Sequence, residues 1–250
     1  MHNNEINLRY FEKLEKIKKN NNLKATVKDL ALINLAYTIF YYGVTEESET
    51  VHLHMFQRKY KHNYTNKLKH FLQLMPRKDD IEGFKKWSNF ISQDIQHMKS
   101  EFEVIYDNRR SFTPNPNLAQ TADNFYSEKY YSGHQEQLGH YFRHLFQSFK
   151  FVSLQKILLD SEKYFYAKTL RAQLSTHEQV LIFFNSISSL GMKWEYLAEI
   201  EKSFPEIALE QFRLITKYDI IKNVPGTSFY HIKYRHFYPK IQYEAIENNT

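Results

Sequence analysis

Hydrophobic residues along most of the chain recur every three or four positions, which is the spacing of one face of an α-helix. The densest run is Gly139–Gly191, where apolar and aromatic side chains fill that spacing almost throughout. The pattern predicts three helices there, over about 135–158, 161–173 and 176–189. It also predicts helices over about 4–20, 27–42, 46–75 (one or two helices), 80–106, 118–131, 193–203 and 205–217.

Polar residues mark several of the predicted helix ends. Thr26 and Asp29 have the spacing of a capping box, as do Ser175 and Glu178. Gly43 follows the second predicted helix, where a glycine commonly ends a helix in a left-handed conformation. These signals fix the ends of two helices more closely than hydrophobic spacing alone.

Two stretches interrupt the helical pattern. Residues 108–117, NRRSFTPNPN, are rich in proline and turn-forming residues. They divide the chain into a predicted N-terminal helical subdomain (1–107), a linker (108–117) and a C-terminal helical domain (118–250). Residues 229–238, FYHIKYRHFY, alternate apolar and basic side chains, which favours one short strand or an extended arm.

Composition supports an all-α fold, a multi-helix bundle. The chain has only 6 glycines and 6 prolines, about a third and about half of their usual proportions, so few tight turns are expected. It has no cysteine, which excludes disulfides and thiolate chemistry. The longest apolar run, Leu30–Val44, is shorter than the roughly 20 residues of a spanning helix, so we expect no membrane association and a cytoplasmic location.

Basic residues are segregated from acidic ones in this chain, whose formal net charge is +6. No Asp or Glu occurs in 50–78, 137–159 or 220–243, and the first and last of these stretches interleave cations with aromatic rings. Such stretches are typical of nucleic-acid binding, with cations on phosphates and rings stacked on bases. The alternative is a solvated helix face with its rings turned inward. The predicted nucleic-acid contacts are Arg58, Lys59, Lys61, Lys67, Lys69, Lys233 and Arg235.

A small cationic group lies on the first helix of the Gly139–Gly191 run. His140 and His144 are four residues apart and share a helix face, with Arg143 on the adjoining turn. Arginine and histidine together suit phosphoryl transfer, in which Arg143 neutralises charge and His144 acts as general acid or base. The alternative is that these residues fix helix packing. No acidic residue lies nearby to complete a metal site, and we predict no metal.

Arg171 and His177 are separated by five residues, in the sequence RAQLSTH. This spacing resembles the motif of HEPN-type ribonucleases, which cleave RNA on a helical scaffold without a metal ion. The resemblance implies that Arg171 and His177 are catalytic. The alternative is that His177 is an exposed residue in the first turn of its helix.

A second resemblance covers about a third of the chain. Gly139-His-Tyr-Phe-Arg-His-Leu-Phe146, then Leu170-Arg-Ala-Gln-Leu-Ser175 and Phe183-Phe-Asn-Ser-Ile187 are similar to the core of the AbiC-like family of phage abortive infection proteins. The resemblance implies a bacterial antiphage role, in which the infected cell stops growing or dies before phage is released. It implies no particular reaction.

Two hypotheses of function follow. In the first, the protein is an abortive-infection effector that binds or cleaves RNA or another nucleic acid. In the second, it is a non-enzymatic sensor or interaction module whose partner is a phage component, another protein or a second copy of the chain. The sequence contains no Gly-rich phosphate loop, nucleophile elbow or acidic metal cluster, which disfavours nucleotide hydrolases, serine hydrolases and two-metal nucleases. No cofactor is predicted.

Overall fold

Most of the described chain is α-helical, which confirms the predicted all-α class. The computed structural model describes residues 3–44, 46–74, 76, 80–108, 133–196 and 213–245. The predicted helix at 118–131 and most of those at 193–203 and 205–217 lie outside these residues. The described α-helices are α1 (Leu8–Asn20), α2 (Val27–Tyr42), α3 (Glu46–Gln57), α4 (His62–Gln73), α5 (Ile81–Ile91), α6 (Ile95–Asn108), α7 (Gln135–Leu154), α8 (Asp160–Arg171), α9 (Thr176–Ile187) and α10 (Leu214–Lys217).

The chain separates into two compact units. Unit one comprises residues 1–3, Leu8–Thr38 and Gln135–Thr250, and unit two comprises Asn4–Asn7 and Ile39–His134. Unit one therefore combines α1 and most of α2 with the C-terminal part of the chain. The predicted linker at 108–117 lies outside the described residues apart from its first position, and the predicted domain division stays a prediction. Among the described helices, none has both the length and the apolar composition needed to cross a membrane.

The helix ends follow the capping signals of the sequence. The Asp29 carboxylate accepts a hydrogen bond from the Thr26 amide (2.9 Å), and the Thr26 hydroxyl accepts one from the Asp29 amide (3.1 Å). Ser175 and Glu178 make the same reciprocal pair at the start of α9. Gly43 ends α2 with a positive φ of 75°. These hydrogen bonds satisfy amides that the first turn of a helix leaves without partners.

The predicted helix over 80–106 is two helices. α5 ends at Ile91 and α6 begins at Ile95, where the Asp94 carboxylate accepts a hydrogen bond from the Gln96 amide (2.8 Å). Phe71 of α4 packs among aromatic rings of both helices, with centroid distances of 5.3 Å to Trp87 and 5.4 Å to Phe102. The break lets both helices bury aromatic side chains against α4.

The C-terminal basic segment forms its own hairpin instead of a lone strand or an extended arm. β1 (Ser228–Phe229) pairs antiparallel with β2 (Ile232–Lys233), in the register Ser228 to Lys233. A 3-10 turn, Tyr234–His236, follows directly, and Tyr234 is buried. Beyond the hairpin the rings of Tyr234, Phe237 and Tyr238 surround Phe183 of α9, at centroid distances of 5.1, 5.5 and 5.9 Å.

A buried amide joins three parts of unit one. The Asn185 side chain of α9 donates to the Tyr37 hydroxyl of α2 (3.2 Å) and accepts from the Trp194 indole nitrogen (3.2 Å). Trp194 belongs to the 3-10 helix Met192–Trp194. Gly191 lies so close that a Cβ there would be 2.1 Å from the Asn185 amide oxygen. We call Asn185, Tyr37, Trp194 and Gly191 the Asn185 junction.

Glu195 is a buried carboxylate in the core of unit one. It is only 5% exposed and accepts hydrogen bonds from the amide and the hydroxyl of Thr216. Burial raises the pKa of Glu195 to about 7, although the Thr216 hydrogen bonds and the charge of Arg213 oppose the shift. Burial, followed by the charge of Glu195, raises the pKa of the neighbouring Tyr238 hydroxyl.

This pKa predicts how stability changes with pH. The folded-state pKa lies above the unfolded value, so the stability that protonated Glu195 contributes is complete below about pH 4.5 and is lost as the pH rises through 7. Between about pH 5 and pH 8 the wild-type free energy of unfolding should fall relative to Glu195→Gln by about 2 kcal/mol. Urea unfolding across this range tests the prediction, with the exposed Glu136→Gln as control. A difference between wild type and Glu195→Gln that does not vary with pH would contradict it.

Candidate functional site

Helix α7 has one face in the core and another in solvent. Phe142, Phe146 and Phe149 are buried, in keeping with their spacing of three and four residues. His140, Arg143 and His144 are all exposed. The structure therefore places the predicted Arg143 and His144 on the solvent-exposed part of α7, with His140 one turn from His144.

Three cations converge on one part of α7. Arg143, Phe146 and Lys150 are three and four residues apart and so lie along one side of the helix. The Lys193 ammonium, from the 3-10 helix, lies 4.6 Å from the centre of the Phe146 ring. Partial burial lowers the pKa of Lys193, and the nearby charges of Arg143 and Lys150 lower it further. We call Arg143, Lys150 and Lys193 the α7 cationic cluster.

Sequence reasoning missed two members of this cluster. Lys150 is seven residues, about two helical turns, from Arg143, and this spacing indicates that the two residues lie on the same side of α7. Lys193 carried no such signal, because the Asn185 junction brings it to α7 from a different part of the chain.

An open groove of about 480 Å³ runs between α7 and α8. His144 lies in its lining, together with the rings of Phe151 and Tyr166 and the side chain of Leu170. The groove is therefore largely apolar, with an imidazole in its wall. His144 and Arg143 border different features, because His144 lines this groove and Arg143 belongs to the cationic cluster.

Arg171 has a structural position. It is 7% exposed, and its Nη1 donates to the backbone carbonyls of Tyr218 (3.0 Å) and Asp219 (3.1 Å). The Tyr164 hydroxyl of the same helix donates to the Asp219 carboxylate at 2.9 Å. Arg171 and Tyr164 thus attach α8 to a turn in which Asp219 has a positive φ of 49°.

His177 lies in the first turn of α9 and is exposed. Arg171, its predicted catalytic partner, is buried, so the two side chains are not presented to solvent as a pair. In the same turn of α9, the Glu178 carboxylate lies near the Tyr141 hydroxyl. Burial, and then this carboxylate, raises the pKa of Tyr141, although the hydroxyl has no partner within hydrogen-bond geometry in the described structure.

The predicted basic residues of unit two lie around α3 and α4. Arg58, Lys61 and Lys69 are exposed, and Lys59 is half-buried. Lys67 forms an ion pair with Glu103 of α6 and lies 5.4 Å from the Tyr106 ring. The aromatic rings of this stretch are less accessible, since Phe56 and Tyr60 are buried in the core of the unit. These rings are unsuited to stacking on bases, and nucleic-acid binding by the five cations stays a prediction.

Lys233 and Arg235 are exposed on and beside the C-terminal hairpin. Lys233 faces outward opposite Ser228, and the Arg235 guanidinium lies 5.7 Å from the centre of the Tyr243 ring. The described residues contain no group of three or more potential metal ligands.

The structure predicts that substituting Arg143 of the YFRH motif and Arg171 of the RAQLS motif affects stability differently. Arg171→Ala removes the guanidinium that donates to the Tyr218 carbonyl and to the Asp219 carbonyl, which keeps only its bond from the Lys222 amide, and should lower the free energy of unfolding by about 2 kcal/mol. Arg143→Ala changes an exposed side chain and should lower it by less than about 0.5 kcal/mol. Urea unfolding of both variants measures the difference. Equal stability of the two variants would contradict the structural role of Arg171.

The family comparison agrees with the motifs. No curated protein and no solved structure matches the chain. Residues 133–202 contain α7, α8, α9 and the 3-10 helix, and therefore the Asn185 side chain, Arg171 and the whole α7 cationic cluster. Residues 133–202 match the family model described as "Putative phage abortive infection protein", which confirms the resemblance drawn from the YFRH and RAQLS motifs.

Proposed function

We propose that this protein acts in abortive infection of phage-infected bacteria, and that it does so by binding RNA at the α7 cationic cluster. The family match supports the first part. The observation that carries the second is that the Lys193 ammonium lies 4.6 Å from the centre of the Phe146 ring, on the side of α7 that carries Arg143 and Lys150.

The electrostatics of the cluster favour a polyanion. Three like charges so placed repel one another, and after burial the charges of Arg143 and Lys150 contribute to the lowered pKa of Lys193. A phosphate placed among them would replace that repulsion with charge-assisted hydrogen bonds, and arginine binds phosphate with particularly well-matched geometry. A single-stranded RNA supplies several phosphates at short intervals and can meet all three cations together.

The same contacts favour binding over cleavage. The ribonuclease hypothesis requires an arginine and a histidine at one scissile phosphate. Arg171 is buried against two backbone carbonyls, and His177 is exposed in another helix. Arg143 and His144 are neighbours, but they border different features of the surface. We therefore assign the cluster a binding role.

The proposal predicts salt-dependent binding of a short single-stranded RNA that stays intact. Three phosphate contacts give a slope of about −2 in a plot of log affinity against log salt. Arg143→Glu with Lys193→Glu should reduce the magnitude of the slope to below about 1 and abolish protection in a phage challenge.

The matched control is Lys16→Glu with Lys28→Glu, which makes the same change of charge at two exposed positions of α1 and α2. It should bind RNA and protect cells like the wild type. Equal affinity of all three proteins would contradict the role of the cluster. Cleaved RNA would contradict the binding role and favour a catalytic one for His144.

A second candidate function, a protein-interaction module, is favoured by apolar side chains around α8. Phe165 is 64% exposed, and Ile157 and Leu159, just before α8, are 89% and 69% exposed, so several large apolar groups close together in the chain are accessible. Phe165 lies midway in sequence between the exposed Glu162 and Lys168. Two antiparallel copies of α8 would therefore bring Phe165 to the two-fold axis and each Glu162 towards the partner's Lys168. We propose a second copy of the chain as the occupant of this surface.

Light scattering of the purified protein tests this pairing. The wild type should be a dimer, and Phe165→Glu should be a monomer because it places two carboxylates at the two-fold axis. Tyr230→Glu changes an exposed aromatic residue elsewhere and should stay a dimer. A monomeric wild type would contradict self-association and leave another protein, such as a phage component, as the occupant.

A further inference from the structure

The turn of the C-terminal hairpin has a backbone conformation that its residues disfavour. Tyr230 and His231 connect β1 to β2, with φ angles of 44° and 67°. Two-residue hairpin turns with both φ angles positive are normally made by Asn-Gly or similar pairs, because a Cβ is crowded in the left-handed region. Residues held in this way are concentrated at functional sites, where the surrounding structure compensates for the strain.

The hairpin holds an aromatic ring in solvent. Tyr230 is 84% exposed, and its ring lies edge-on to Phe229 at a centroid distance of 4.7 Å. Phe229 in turn packs edge-on against Phe184 of α9 at 5.5 Å. The exposed Tyr230 ring therefore packs on the Phe229 ring, which in turn packs against α9. A ring oriented in advance loses little conformational entropy when a ligand stacks on it.

The charges around this ring are basic. His231 is exposed beside it in the turn, and Lys233 lies on the outward face of β2. Arg235 is exposed two residues further on, and the sequence has no acidic residue between 220 and 243. An accessible aromatic ring flanked by cations is the arrangement with which proteins hold single strands without reading their sequence.

We propose that the hairpin Ser228–Lys233 is a binding site for single-stranded nucleic acid. Tyr230 stacks on a base, and Lys233 with His231 contacts the adjoining phosphates. This inference deepens the proposed function, because it supplies a base contact that the α7 cationic cluster lacks. A protein partner is the less favoured ligand, since the exposed residues that follow the ring in the chain, His231, Lys233 and Arg235, are basic.

The turn allows a variant in which thermal stability rises while affinity for RNA falls. Tyr230→Asn with His231→Gly installs the pair that such a turn prefers and should raise the thermal midpoint. The same variant removes the stacking ring and should weaken binding of a short poly(U) RNA by about tenfold. Tyr230→Phe keeps the ring and should bind within about twofold of the wild type. A loss of affinity in a more stable protein cannot be attributed to unfolding.

Fluorescence anisotropy with labelled poly(U) RNA measures these affinities. Salt-dependent binding by the wild type and about tenfold weaker binding by the double variant support the site. Equal affinity of wild type and double variant overturns the hairpin site alone and leaves the proposed function in place. No binding by the wild type overturns both, and capture of a protein ligand lost only in the double variant overturns the nucleic-acid assignment.

Discussion

The hydrogen bonds of the Asn185 side chain connect three elements of unit one in its core. One amide joins α9 to α2 through the Tyr37 hydroxyl and to the 3-10 helix through the Trp194 indole. Trp194 is buried, so losing the amide would take away the oxygen that accepts from its indole nitrogen in the core. Because Lys193 directly precedes Trp194, this junction also brings the lysine to the Phe146 ring and to Arg143 of α7. The proposed interface therefore depends on a core interaction.

Much of the fold was predictable because its signals are local. The spacing of apolar residues identified α2 and α9 almost to the residue, and the capping boxes at Thr26 and Ser175 identified their starts. The break between α5 and α6 was missed because no glycine or proline marks it, although Asp94 caps the second helix. The hairpin was missed for a similar reason, since Tyr230 and His231 are not residues that signal a tight turn.

The candidate site was less predictable because its contacts join distant parts of the chain. Arg143 and His144 lie on the exposed face that helical spacing predicts. Arg171 carries the same charge as Arg143, but it is buried and donates hydrogen bonds to the carbonyls of Tyr218 and Asp219. No local pattern in the sequence reveals partners so far along the chain. The family motifs therefore contain two kinds of residue. Arg171 and Asn185 hold the helices together, whereas Arg143 is accessible to a ligand.

Lysine footprinting with and without RNA tests the central claim, that the exposed cations of the matched segment form the functional surface. An acetylating reagent modifies accessible amines, and mass spectrometry reports the modification of each lysine. When single-stranded RNA is bound, Lys193 should lose reactivity, whereas Lys28, exposed on α2 of the same unit, should react as before. Unchanged reactivity of Lys193 under conditions in which RNA is bound would contradict the account.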